Sequence, residues 1–242
     1  MRLKWPLTFA YLNEFKEELL NRANYWKFFG KQIISRVKID ESLTEHHVRL
    51  KSSRPDGYEY EVSDAPFYAM FNIGPYTFAP YRVCWSRMAN TIKAAVVSEI
   101  PTVIGQKPPI PTDTATIAPF ESKDRAHYFC AVVNSSPFRW FVKSFSAAGR
   151  GFGSAAILKH ISIPTYDQKN RLHTDLTALS LDCHQAAQSG QPTLLQDLET
   201  KIDSIAAQIW TITRNELNTI QIELADAQPS RQREVKRRAS GR

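Results

Sequence analysis

The sequence predicts an α+β protein, a β-rich first part followed by an antiparallel α-hairpin. Between residues 67 and 120, short β-prone runs are punctuated by Gly74-Pro75, Ala79-Pro80 and Asn90. From residue 172 to 212, apolar residues recur at helical spacing in two stripes separated by Ser189-Gly190-Gln191-Pro192. The 242 residues are 43% apolar and 23% charged, inside the globular range and enough for one large domain or a domain with an appendage.

In chain order, Leu12, Phe15, Leu19, Ala23 and Trp26 lie on one face of an amphipathic helix over residues 8–30 that Gly30 ends. Ile33 to Ile39 reads as a strand and Ser53-Arg54-Pro55-Asp56-Gly57 as a turn. Strands follow at Phe67–Ile73, Arg82–Ser86, Lys93–Ser98 and Thr114–Phe120, with a proline-rich stretch over 99–113. Ser122 can cap a helix carrying Ala126, Phe129, Cys130 and Val133, and Ser136-Pro137 suits the start of another, because proline at the first helical position loses no bond. After the cluster Gly149-Arg150-Gly151-Phe152-Gly153, the segment Ile157–Pro164 reads as the last strand. The stripe Leu172, Leu176, Leu179, Cys183 and the stripe Leu195, Leu198, Ile202, Ile205, Ile209, Ile212 then predict the hairpin. Thr213-Arg214-Asn215-Glu216 has the capping-box spacing that begins a third helix. The domains expected are 1–168, 169–226 for the helices, and a disordered tail over 227–242.

Composition excludes several function classes. No run approaches the roughly 18 apolar residues of a membrane helix, and mean hydropathy is −0.36, so a soluble cytoplasmic protein is expected. Cys84, Cys130 and Cys183 are odd in number and widely spaced, which fits neither a disulfide framework nor a tetrahedral metal site. The net charge is +7, but residues 229–242 hold six basic residues against Glu234, a net +5, which leaves +2 for the first 228. The basic pI of about 9.3 therefore describes mostly a tail, and such a block is usually solvated but could attract any polyanion.

Catalytic signatures are sparse. No Gly-x-x-x-x-Gly-Lys-Ser/Thr, His-Glu-x-x-His or paired Cys-x-x-Cys occurs. Pro55-Asp56 with Glu199-Thr200-Lys201 matches a magnesium nuclease only on paper, since the first reads as a turn and the second as the exposed side of a helix. His46-His47 lacks a third ligand at metal spacing, and adjacent side chains diverge. The glycine cluster reads either as a flexible loop or as backbone approaching a phosphate with Arg150 as the cation. Tyr81–Arg87 and Phe138–Lys143 interleave aromatic and cationic side chains, a pattern shared by phosphate-contacting strands and by ordinary cores.

Six segments occur in order: Pro6-Leu7-Thr8-Phe9-Ala10-Tyr11-Leu12 with Lys16, Leu19 and Arg22; Pro66-Phe67-Tyr68; Tyr81–Ser86; Ala131–Ser136; Ile157–Pro164; and Ile202-Asp203 through Trp210 with Thr213 and Glu216. Their order resembles that of TaqI-like DNA-specificity domains, the target-recognition domains of N6-adenine DNA methyltransferases and restriction-modification enzymes, with Ala131–Ser136 similar to the family's "Leu-Leu-Asn-Ser" helix end, Ile157–Pro164 to its "Leu…Leu…Ile-Pro" strand and the last segment to its closing helix pair. Tyr81-Arg82 stands where the family usually has lysine.

The resemblance implies a β-rich target-recognition domain with a C-terminal α-hairpin that binds double-stranded DNA. The family's Asn/Asp-Pro-Pro-Tyr/Phe motif, which holds a flipped adenine, is absent, as is an AdoMet-binding glycine motif. The expectation is a C-terminal fragment or split subunit without catalysis of its own. AdoMet would be bound by a methyltransferase domain elsewhere, and a separate methyltransferase or restriction subunit is a possible partner. Arg82, Arg87, Lys93, Arg150 and Lys159 are the DNA-binding candidates, chosen for charge near strand ends and the glycine loop. The alternatives are a helical assembly subunit built on the α-hairpin, or nonspecific binding by the tail.

Overall fold

The structure, a computed structural model, describes residues 1–35, 47–54, 57–89, 91–112, 114–145 and 155–226. The chain is mixed α+β, with small antiparallel sheets and eight α-helices among the described residues. It divides into two compact units, Met1–Gly74 and a second that begins at Pro75.

In the first unit the expected single helix over 8–30 is three: α1 (Pro6–Glu14), α2 (Lys16–Leu20) and α3 (Ala23–Phe29). The break before α3 has a tertiary cause. Arg22 leaves the helical region and its guanidinium donates to the carbonyls of Leu19 at 2.7 Å, Phe67 at 3.0 Å and Ala69 at 3.0 Å. The turn brings Tyr25 and Trp26 into the core, with the Trp26 indole N–H on the Leu20 carbonyl at 2.6 Å. The same bonds explain why Phe67–Ile73 is not the expected strand: its carbonyls are taken by Arg22 rather than by a neighbouring strand. β1 (Gln32–Ser35), β2 (His47–Arg54) and β3 (Gly57–Ser63) form an antiparallel sheet in the order β1-β3-β2. Only the start of the expected 33–39 strand lies within the described residues; the central Pro55-Asp56 of the expected turn lies outside them.

The second unit opens with a 3-10 turn, Pro75–Phe78, and a sheet in the order β5-β4-β8: β4 (Tyr81–Ser86), β5 (Ala94–Val97) and β8 (Ala115–Phe120). Between β5 and β8 the proline-rich stretch forms a separate hairpin, β6 (Ile100–Thr102) and β7 (Gly105–Lys107). α4 (Lys123–Asn134), capped by the Ser122 hydroxyl, lies across the sheet, and α5 (Ser136–Phe145) follows it. Val83 and Trp85 of β4 and Val132, Val133 and Phe138 form a common core with Leu176 of α6 (Arg171–Gln188) and Ile202 of α7 (Pro192–Ile209). Helical hairpin and sheet thus share one core, and no domain boundary falls at 168/169. The 195–212 stripe is spent inside this unit: Leu198 and Ile202 are buried, and Ile205 and Ile209 pack on the core.

The expected strand Ile157–Pro164 is instead a 3-10 turn, Ala155–His160, and an unpaired segment. Its apolar side chains Leu158, Ile161 and Ile163 still pack on the core. Side chains take its carbonyls, the Trp210 indole donating to Ser162 at 3.0 Å and the Tyr128 hydroxyl to Pro164 at 3.1 Å. α8 (Arg214–Asp226) begins as the capping box predicts, with Thr213 N–H donating to Glu216 Oε2 at 2.7 Å and Glu216 N–H to Thr213 Oγ1 at 3.3 Å. The tail over 227–242 lies outside the described residues. No described helix is long and apolar enough to cross a membrane.

Candidate nucleic-acid interface

β4 is the middle strand of its sheet, so the side chains of successive residues go to opposite faces. Val83 and Trp85 face α4; Arg82 goes the other way. That second face is covered too, by the turn 75–78 and by the segment after β7. Arg82 is 0% exposed, and its Nη1 donates to the carbonyls of Thr77 at 3.0 Å and Pro109 at 2.9 Å. Its expected role as a phosphate contact is corrected: the guanidinium is an internal tie, and Nε and Nη2 have no partner. A phosphate cannot approach a group with no exposed surface.

Arg87 and Lys93 are exposed and fall at the same end of the sheet, because Trp85 pairs with Ala94 in the β4–β5 ladder. Thr114 belongs to this end as well, since its carbonyl accepts the Arg87 N–H at 2.8 Å and its hydroxyl bonds the Thr112 hydroxyl at 2.8 Å. Two cations and two hydroxyls at one strand end are the side-chain types that hold phosphate oxygens. Lys159 is exposed, but on the 3-10 turn Ala155–His160 and not on this sheet. Arg150 lies outside the described residues. Sequence reading missed the β6–β7 hairpin, whose signal, glycine after Thr102-Val103-Ile104, was obscured by four prolines within residues 101–111.

Several buried and half-buried polar groups tie the elements of the second unit together. Asn134 closes a two-way bond with Ala94, its Oδ1 accepting the N–H and its Nδ2 donating to the carbonyl, both at 2.8 Å, which fixes α4 to β5. Asp203 of α7 accepts the Ser136 N–H and hydroxyl, each at 2.6 Å, and the Gln221 amide at 2.8 Å. His127 Nδ1 lies 3.0 Å from the Ser180 hydroxyl; His184 donates to the Ser180 carbonyl at 2.7 Å and accepts the Val96 N–H at 2.9 Å. Burial, with the neighbouring His184 and Lys123, pushes His127 down to about 4, so it is neutral at pH 7.

Burial pushes the thiol of Cys130 up to about 12 and that of Cys183 up to about 11, and raises Cys84. A protonated thiol is a poor nucleophile. Among the described residues no group of three or more His, Cys, Asp or Glu could hold a metal ion. His47 packs its ring near Tyr25 and Phe67, while His46 lies outside the described residues. Glu199 and Lys201 are exposed on α7. The chain matches no family model, no curated protein and no solved structure.

Proposed function

We propose that this chain is a sequence-specific DNA recognition module of an adenine-N6 DNA methyltransferase or restriction-modification system, with the methyltransferase and its AdoMet site carried outside these 242 residues. The observation that carries the reading is the ordered resemblance of six segments to TaqI-like specificity domains. The polar residues of those segments support it. Asn134 of the "Asn-Ser" helix end ties α4 to β5, and Asp203 of the "Ile-Asp" segment bonds Ser136, 67 positions away in sequence. Arg87 and Lys93 supply phosphate contacts, which give affinity and orientation, while polar side chains read base edges.

Selection from a random duplex DNA pool at about 150 mM salt, where weak phosphate contacts are screened, tests this with and without residues 229–242. Both forms are expected to enrich one short motif. Retention without a motif by the intact chain, and none by the truncated one, would leave only tail binding and end the proposal.

Single substitutions refine it through the salt dependence of binding. Arg87→Ala and Lys93→Ala are each expected to flatten the slope of log K against log[salt] by about one charge. Unchanged slopes in both variants would remove this strand end from the interface.

A second reading, an assembly subunit, is favoured by an apolar groove of about 760 Å³ between α5 and α8, walled by Trp140, Phe141, Ile161, Trp210, Ile212 and Ile220. Copurification of a methyltransferase or nuclease subunit that Trp140→Ala releases, from a chain that selects no DNA motif, would favour it over the first.

A further inference from the structure

We infer that the β6–β7 hairpin is an arm that enters the major groove of duplex DNA, placing Val103 and Ile104 against thymine methyl groups and Gln106 and Lys107 against base edges and phosphates. This deepens the DNA-recognition reading and rests on it. Every residue from Ile100 to Lys107 is exposed, and at the tip Val103 is 103% and Ile104 75% exposed. Two aliphatic side chains stand in water at the place where a hairpin ordinarily carries polar turn residues.

The tip is built rather than slack. The Thr102 hydroxyl donates to the Gly105 carbonyl at 2.6 Å and accepts the Ile104 N–H at 3.3 Å. Gly105 has φ +99°, a conformation side-chain-bearing residues rarely adopt. At the root, Arg82 bonds the Pro109 carbonyl, two residues beyond β7, and the Thr77 carbonyl, so the buried guanidinium holds the base of the arm to the sheet. The loss of rotational freedom on docking is then already partly met.

Dimensions and chemistry select the occupant. Three residues per strand at about 3.3 Å each reach about 10 Å before the turn, more than the major groove's depth of about 8.5 Å. That groove, about 12 Å wide, admits a two-stranded ribbon, whereas a minor groove of about 6 Å does not. Residues 100–107 contain no carboxylate and their one charge is Lys107, and the exposed Glu99 stands at the root and not at the tip that enters the groove. Strand addition by a protein partner is opposed by the three-residue strands and by Pro101, which has no N–H to give.

The test compares the full chain with the double variant Val103→Ser and Ile104→Ser, which loses no packing because both side chains are in water. The probes are the random duplex pool at about 150 mM salt and then the duplex it yields, with thymine or with uracil, which lacks the methyl group. The variant is expected to bind the selected duplex about tenfold or more weaker while retaining the random pool within about twofold, since phosphate contacts are untouched. Uracil in the motif should weaken the parent chain and leave the variant indifferent. If the parent enriches a motif and the variant enriches the same one with equal affinity, the arm is overturned while DNA recognition stands. Should the parent enrich none, DNA recognition fails and the arm with it. Unchanged DNA binding with loss of a dimer in sedimentation would make the arm a protein contact and also overturn the inference.

Discussion

Asp203→Ala is expected to cost about 3–4 kcal/mol of stability, on the order of a 10 °C fall in melting temperature for a chain of this size. The carboxylate is 6% exposed and is the meeting point of three helices. From α7 it accepts the N–H that opens α5, the hydroxyl of the same Ser136 and the Gln221 amide of α8. Removing it strands all three donors, each worth about 1–3 kcal/mol when buried without a partner, and relaxation of the half-buried Gln221 offsets part of the sum. Asp203→Asn is expected to cost less, about 1–2 kcal/mol, because one oxygen remains for the backbone N–H while the amide nitrogen cannot accept from the hydroxyl. Urea denaturation of the three proteins measures the order. Equal stability of Asp203→Ala and the parent would mean that α5 and α8 are held by apolar contacts alone, and would remove the structural meaning given to the "Ile-Asp" segment.

What was legible in the sequence was what local chemistry decides. The capping box at Thr213 closes over four residues and needs no partner from elsewhere. The hairpin stripes are written at the period of the helix, and their Leu176 and Ile202 are core residues in the fold. Where a distant group intervened, the pattern misled. The spacing of Leu12, Phe15 and Leu19 fits a helix that continues to Gly30, yet Arg22 reaches the 67–69 loop and turns the chain. Alternation along β4 follows from any strand, but it cannot reveal that the face opposite Val83 and Trp85 has its own cover; the turn 75–78 and Pro109 make Arg82 internal. Strand pairing brings Arg87 and Lys93 to the same end of the sheet, information carried by neither stretch alone.

Acidification should weaken the second unit through His127. Its unfolded form titrates near pH 6.5 and its folded form only near 4, because burial, and then His184 and Lys123, disfavour the charged ring. Between those values the unfolded chain binds more protons, so stability falls as pH falls and the loss is complete below pH 4. Over the whole window the difference corresponds to about 3 kcal/mol, and to about 2 kcal/mol by pH 5. His173 of α6, which burial also lowers, acts in the same direction, with its ring packed against Tyr128 of α4. Carboxylates contribute their own acid dependence, so the comparison must be between proteins. His127→Gln, with an amide able to reach Ser180, should lose about 2 kcal/mol less than the parent between pH 7 and pH 5 in urea midpoints. The variant's starting stability at pH 7 does not enter that difference. Parallel pH curves for the two proteins would show that the ring is hydrated in the folded state, and that the contact between α4 and α6 at Ser180 opens to solvent well before the rest of the core.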